Sequence, residues 1–257
     1  MTGIVWADLD RDVVLVQGDD AVAFLHSQLA QDISSIPVGG SAHSLLLEPT
    51  GHLTAILRVV RHADTVLTMD VESGHGREVI DRLQRFVLRS KVTMTESDWR
   101  VRAFRGDGAV ASIGSTSGRA VVARGSDDAL DVVGPVDSLP TVGEETEPGH
   151  IDALRVDAGW PALDVDVLVG DVPATTGIVA ESVSFTKGCY PGQELVERMD
   201  SRGSSAPVQL RIVERGTLVP GARIERSPRD FGTVTSVGIR SALVRVGRGS
   251  EIGEPLG

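Results

Sequence analysis

The 257-residue chain has a single cysteine, Cys189, so it can form no internal disulfide. Nor can it alone supply the several thiolates that hold a resident iron–sulfur cluster. Lysine is also scarce: of 25 basic residues, only Lys91 and Lys187 are not arginine. No run of about 18 apolar residues occurs, which excludes a transmembrane helix and any membrane partner acting through one. The opening MTGIVWADLDRDVV carries acidic residues and no apolar run behind a basic prelude, and it is not an arginine-rich transit sequence, so cytoplasmic residence is expected. Clustered positive charge is missing too. A net charge of −11 argues against direct DNA binding, because tracking a nucleic-acid backbone requires grouped Lys and Arg. The chain has no GxGxxG after a strand, no Walker loop, no HExxH, no multi-cysteine motif and no fixed-period repeat, so nucleotide and metal sites have no sequence support.

What is present reads as alternating short elements. Val22, Leu25, Leu29 and Ile33 recur at helical spacing after Asp19 and Asp20, either of which suits an N-cap. HSLLLEPTGHLTAILRVVRHADTVLTMD reads as strands around a PTG turn. A second helix is predicted with Val79, Leu83, Phe86 and Val87 on one face, before a strand through Val92. Residues 99 to 142 read as short strands between turns, followed by the acidic loop GEETEPGH. HIDALRVDAGWP is a short helix that stops at Gly159 and is barred from continuing by Pro161. PGQELVERMDSRG is a helix with Pro191 in its first turn. SRGSSAP is then the candidate linker, and the remaining strands have the spacing of a small β-barrel or sandwich.

KGCYPGQE, residues 187 to 194, concentrates the unusual chemistry. A lone free cysteine is commonly a small buried hydrophobe. Here it lies between glycines ahead of a helix and beside Lys187, where a helix N-terminus and an ammonium both favour thiolate. Both readings stand on the residues alone. No histidine lies in a recognisable partner motif for a Cys–His pair. Gln193 and Glu194 fall in the first helical turn, where capping is the simple role. Arg155 either pairs with a neighbour such as Asp152 or offers its planar fork to a carboxylate in a cavity.

SFTKGCYPGQELVERMDSRG resembles the signature segment of the YgfZ-type folate-binding proteins, relatives of the glycine cleavage T protein that support iron–sulfur enzymes. QGDDAVAFLHSQLAQDI, LLLEPTGHLTAILRVV, LQRFVLRSKV, LRVDAGWP and ALVRVG are similar to further stretches of that family, so the resemblance covers most of the chain and weakens in the middle third. It implies an α+β fold with three lobes around a central cavity: two mixed α/β lobes within residues 1–203, forming the folate-binding region, and a C-terminal β-barrel in residues 204–257. It implies tetrahydrofolate or a derivative in that cavity, with the cysteine loop facing it, and iron–sulfur client proteins, including tRNA-thiolating enzymes, as partners. Cys189 is expected as a reactive thiolate or transient cluster ligand, with Lys187 lowering its pKa. Arg155 is expected on the folate glutamate tail, and Gly188, Tyr190, Gly192, Gln193 and Glu194 belong to the binding loop.

Departures weigh on the activity. Where the T protein carries acidic residues after the strand-turn glycine, this chain has Ala55 and Ile56, neither of which can move a proton. The T protein's glycine-rich segment with its pterin-binding glutamate is not evident in residues 119 to 135. Ala174 stands where a YgfZ-type glutamate is expected after the proline of VPAT. Glycine-cleavage aminomethyl transfer is therefore not expected. The alternative to an accessory protein is a tetrahydrofolate-dependent transferase of another one-carbon unit.

Overall fold

The computed structural model describes residues 3–114, 116, 118–120, 122, 124–125, 128–201 and 206–256. The chain opens with β1 (Val5–Leu9) and turns at once into β2 (Arg11–Gln17), a strand of a different sheet. After α1 (Ala21–Gln28), a meander of β3 (Ser41–Leu47), β4 (Leu53–Ala63) and β5 (Val66–Glu72) follows, then α2 (Gly76–Gln84) and β6 (Thr93–Ser97). These strands pair in the order β3-β4-β5-β2-β6. β4 is buried from Leu53 to Val60, as the near-continuous apolar run LTAILRVV requires.

β7 (Arg100–Arg105) returns to pair antiparallel with β1. Short α3 (Ala109–Ile113), β8 (Arg119–Ala120), β9 (Leu130–Gly134) and β10 (Glu144–Glu145) complete a second sheet, β10-β1-β7-β9-β8. Next come α4 (Pro148–Asp157), α5 (Val179–Ser182) and α6 (Gln193–Ser201). The third sheet comprises β11 (Val208–Glu214), β12 (Arg223–Ser227), β13 (Asp230–Val237), β14 (Ser241–Gly247) and β15 (Glu254–Pro255), in the order β12-β13-β14-β11-β15.

The main core gathers Leu25, Leu29 and Ile33 with Leu45, Leu57, Met69 and Leu83, and extends to Tyr190, Val196, Leu210 and Leu243. The segment holding Cys189 and the third sheet thus share one apolar cluster with the first sheet. Among the described residues no helix is long and apolar enough to cross a membrane.

Several expectations change in detail. The first helix stops at Gln28 because the Ala30 amide donates to Leu45 O of β3; Leu29 and Ile33 are buried without being helical. Asp20 occupies the N-cap position, but its carboxylate accepts from the Lys91 amide at 2.7 Å. α2 ends at Gln84, so Phe86 lies past it, part-exposed beneath the Arg82 guanidinium. α6 begins at Gln193, two residues after the proline expected in its first turn. The third sheet is open: among the described residues its edge strands β12 and β15 do not pair. Of the candidate linker, residues 201–207, positions 202–205 lie outside the described residues, and the 203/204 boundary with them.

Candidate ligand cavity and cysteine loop

A cavity of about 860 Å³ opens between the first sheet, the β1–β2 and β7 ends, and α4. That is the size range of small-molecule and cofactor sites. Sheet register places its charges. Arg58 of β4 lies opposite Asp70 of β5, and Arg11 of β2 lies opposite Glu72. Arg58 grips Asp70 bidentately, Nε to Oδ2 at 3.0 Å and Nη2 to Oδ1 at 3.2 Å, while its Nη1 reaches Asp131 Oδ2 of β9 at 2.6 Å. Arg11 Nε donates to Asp70 Oδ1 at 2.5 Å, and Arg105 Nη1 to Asp131 Oδ1 at 2.7 Å. The cluster links the first two sheets through charge-assisted bonds.

This pairing decides the protonation states. Burial alone would raise the Asp131 carboxyl, but Arg105 and Arg58 outweigh it and hold the group at about 2. Asp70 is likewise held below its usual value: burial opposes this, and Arg58 and Arg11 prevail. Both are fixed anions near neutral pH, not proton acceptors. Ile56 lines the cavity, and Ala55 is buried off its lining, so neither position brings an acid to the site.

Other lining groups are less committed. Glu72 Oε1 is 3.4 Å from Arg11 Nη1, whereas its Oε2 is buried with no hydrogen-bond partner. An orphaned carboxylate oxygen beside a cavity is an acceptor awaiting a donor. His43 and Trp160 form an aromatic wall, with ring centroids 4.3 Å apart and planes tilted by 48°.

Arg155 pairs with Asp152, as the first sequence alternative has it, and it also lies on the cavity lining. It lines the cavity from the last turn of α4, a helix opened by Pro148 and ended at Gly159, whose φ of +68° suits glycine. Its Nε donates to Asp152 Oδ1 at 2.7 Å, Nη1 to Asp166 Oδ2 at 2.9 Å and to Trp160 O, and Nη2 to Ser236 Oγ at 3.4 Å. Fully buried Asp166 also accepts from the Ala162 amide at 2.9 Å and Thr235 Oγ1 at 2.5 Å. Burial disfavours the Arg155 charge, but Asp166 and Asp152 more than compensate.

The cysteine loop stands elsewhere. None of residues 187–194 is among the residues that line this cavity. Lys187 Nζ donates to Leu29 O at 2.6 Å, to Gln31 O at 3.2 Å and to His26 O, so the ammonium caps the carbonyl end of α1. Burial pushes Lys187 down to about 8, with Asp32 opposing. Tyr190 is buried in the main core, its ring 5.1 Å from Lys187 Nζ, and burial, then Glu197, raises its hydroxyl to about 12. Pinned on both sides, the loop leaves Cys189 and Gly188 exposed.

Gly192, at φ +87°, packs on the β3–β4 turn; a Cβ there would lie 2.7 Å from Glu48 O and 2.9 Å from Gly51 Cα. Gln193 bonds Glu197 at 2.5 Å and accepts from the Tyr190 amide at 3.4 Å, and Glu194 pairs with Arg198 along α6. Ala174 lies in the 3₁₀ turn Pro173–Thr175, off the cavity lining.

Sequence reasoning missed Arg58, Glu72, Asp131, Trp160, His43 and Arg240 as lining residues, and Asp70 as the partner of Arg58 behind them. A signal existed for some: Asp70 and Glu72 share one face at the end of an apolar strand, a position where unpaired charge is costly. Nothing local marks Asp131 as the partner of Arg58.

No family model matches the chain. It is 25% identical over 234 residues to an uncharacterized protein of Haemophilus influenzae, covering 87% of this chain and 80% of that one. The tRNA-modifying protein YgfZ of Shigella dysenteriae is 24% identical over 255 residues, covering 88% of this chain and 78% of the relative. The same-named protein of Escherichia coli O157:H7 is 25% identical over 237 residues, covering 83% and 72%. The crystal structure of glycine cleavage system aminomethyltransferase T from Bartonella henselae shares the fold, with TM-score 0.75 and 17% identity over 96% of this chain and 79% of that one. The chain is thus similar in sequence to YgfZ proteins along most of its length and shares its fold with aminomethyltransferase T.

Proposed function

We propose that the chain is a folate-binding accessory protein that supports assembly, maintenance or repair of iron–sulfur clusters in client enzymes, tRNA-modifying ones among them. It acts in the cytoplasm, with folate held by residues 1–203 and a C-terminal β domain in 204–257. The observation that carries the reading is the donor and acceptor set of the cavity. The orphaned Glu72 Oε2 suits the N–H edge of a reduced pterin, His43 and Trp160 offer ring surfaces, and the arginine-rich wall suits a carboxylate tail. When bound, tetrahydrofolate supplies a carrier for one-carbon units. The chain's own residues bind and orient it.

A transferase needs an acid or base near the carrier nitrogens. Ile56 is apolar, the lining Asp131 is locked as an anion by two arginines, and Glu72 serves as an acceptor for the pterin edge, which favours the accessory reading. Exposed Cys189, away from the cavity lining, is presented to a partner, and one thiolate suits a shared or transient cluster rather than a resident one.

Calorimetric titration with tetrahydrofolate tests the cofactor: the parent gives a saturable heat, and Glu72→Gln binds about tenfold more weakly. No heat from the parent removes folate from the account. In cells lacking the native protein, Cys189→Ser is expected to fail to restore iron–sulfur client activity; full restoration ends the thiolate role.

A further inference from the structure

We propose that Arg240, not Arg155, receives the carboxylate tail of the ligand, and that Arg155 is a positioning residue that holds Trp160 on the cavity wall. The proposal rests on the folate reading and deepens it.

Six arginines line the cavity. Arg11, Arg58 and Arg105 are bound into the Asp70 and Asp131 cluster, and Arg124 is held by Glu181, Gly159 O and Gly177 O. Arg155 is used up by Asp152, Asp166, Ser236 and Trp160 O. Turning it toward a ligand would strip a fully buried Asp166 of its guanidinium, a loss that a solvent-facing carboxylate does not offset.

Arg240 differs. Its side chain is 84% exposed, and its guanidinium makes no hydrogen bond among the described residues; Nε lies 3.6 Å from Asp157 Oδ2. Its backbone is nonetheless fixed. The Arg240 and Ser241 amides both donate to Asp157 Oδ1 at 2.9 Å, and Arg240 O accepts from the Arg215 amide at 2.8 Å. The β13–β14 turn therefore holds on the cavity rim a fork whose one ion pair is the long contact with Asp157, leaving its Nη groups for a flexible dianionic tail.

Arg155 grips Trp160 from two directions: its Nη1 donates to Trp160 O, and its own carbonyl accepts the Trp160 amide at 3.1 Å. The indole then meets His43. Losing Arg155 misplaces a ring wall that every folate form uses, whatever the charge of its tail.

The test titrates tetrahydrofolate and its α,γ-diamide, in which both tail carboxylates are neutral, into the parent, Arg240→Ala and Arg155→Lys. The parent is expected to bind the diamide about tenfold more weakly than tetrahydrofolate. Arg240→Ala weakens tetrahydrofolate by about the same factor and leaves the diamide unchanged. Arg155→Lys weakens both ligands equally and reduces ligand quenching of Trp160, read in a Trp6→Phe, Trp99→Phe background. Unchanged tetrahydrofolate affinity in Arg240→Ala, or an Arg155→Lys loss confined to tetrahydrofolate, overturns the assignment. Because Arg240 is exposed, its variant decides the matter even if Arg155→Lys does not fold. Absence of binding of either ligand by the parent refutes the folate reading itself, and the assignment with it.

Discussion

Replacing Asp131 by Asn removes one anion from the cluster that joins the first two sheets while keeping the side chain's shape. Asp131 accepts from Arg58 at 2.6 Å and Arg105 at 2.7 Å and is 3% exposed. Its carboxyl is held at about 2 against an ordinary 3.8, which corresponds to about 2 kcal/mol of native-state stability at neutral pH. The amide also leaves two buried guanidiniums short of charge. Arg58 keeps Asp70 and Arg105 keeps Phe104 O and Leu130 O, so the total loss belongs at the lower end for a broken buried pair, about 3 kcal/mol. Because the folded pKa is depressed, this contribution is complete above the unfolded value and fades as pH falls through the folded one. The gap between parent and variant is therefore full at pH 7 and shrinks between pH 4 and pH 2. Urea unfolding at pH 7 and pH 3 measures it, with an unchanged slope certifying that only stability moved. A gap below about 0.5 kcal/mol at pH 7, or one equally large at both pH values, refutes the reasoning.

Gly192→Ala forces a Cβ against Glu48 O at 2.7 Å from a backbone at φ +87°, so urea denaturation is expected to show a loss of about 2 kcal/mol; a neutral result removes the close packing of the loop on the β3–β4 turn. Lys187→Met strips the α1 carbonyls of a charged donor and is expected to cost about 1 to 2 kcal/mol, with faster amide exchange at residues 184–190 than in the parent. Unchanged exchange there shows that the ammonium does not hold the loop.

Much of the local structure was legible. The PTG breaker and the apolar run after it placed the β3–β4 hairpin, and Pro161 with Gly159 marked the end of α4. These signals are local because they act through backbone dihedrals and side-chain periodicity within a few residues. Helix limits were less legible. α1 stops where β3 claims the Ala30 amide, and nothing within the helix sequence announces that strand. The chemical reading of KGCYPGQE likewise went only as far as neighbours in sequence. Lys187, two residues from Cys189, spends its ammonium on carbonyls at Leu29 and Gln31, 158 and 156 residues away.

The sequence alone indicates a mixed α/β chain without internal disulfide, metal motif or apolar span, carrying one cysteine in a glycine-bounded loop that resembles the YgfZ-type signature. Only the tertiary structure decided what surrounds the cavity and what the cysteine loop touches. Arg58 meets Asp131 across 73 residues, Arg155 meets Asp166 and Ser236 together, and Glu72 is left with an unmatched oxygen. The reason is electrostatic as much as geometric: whether a buried charge is a ligand, a clamp or a free receptor depends on which distant partner the sheets bring within bonding distance, and sequence spacing does not encode that pairing.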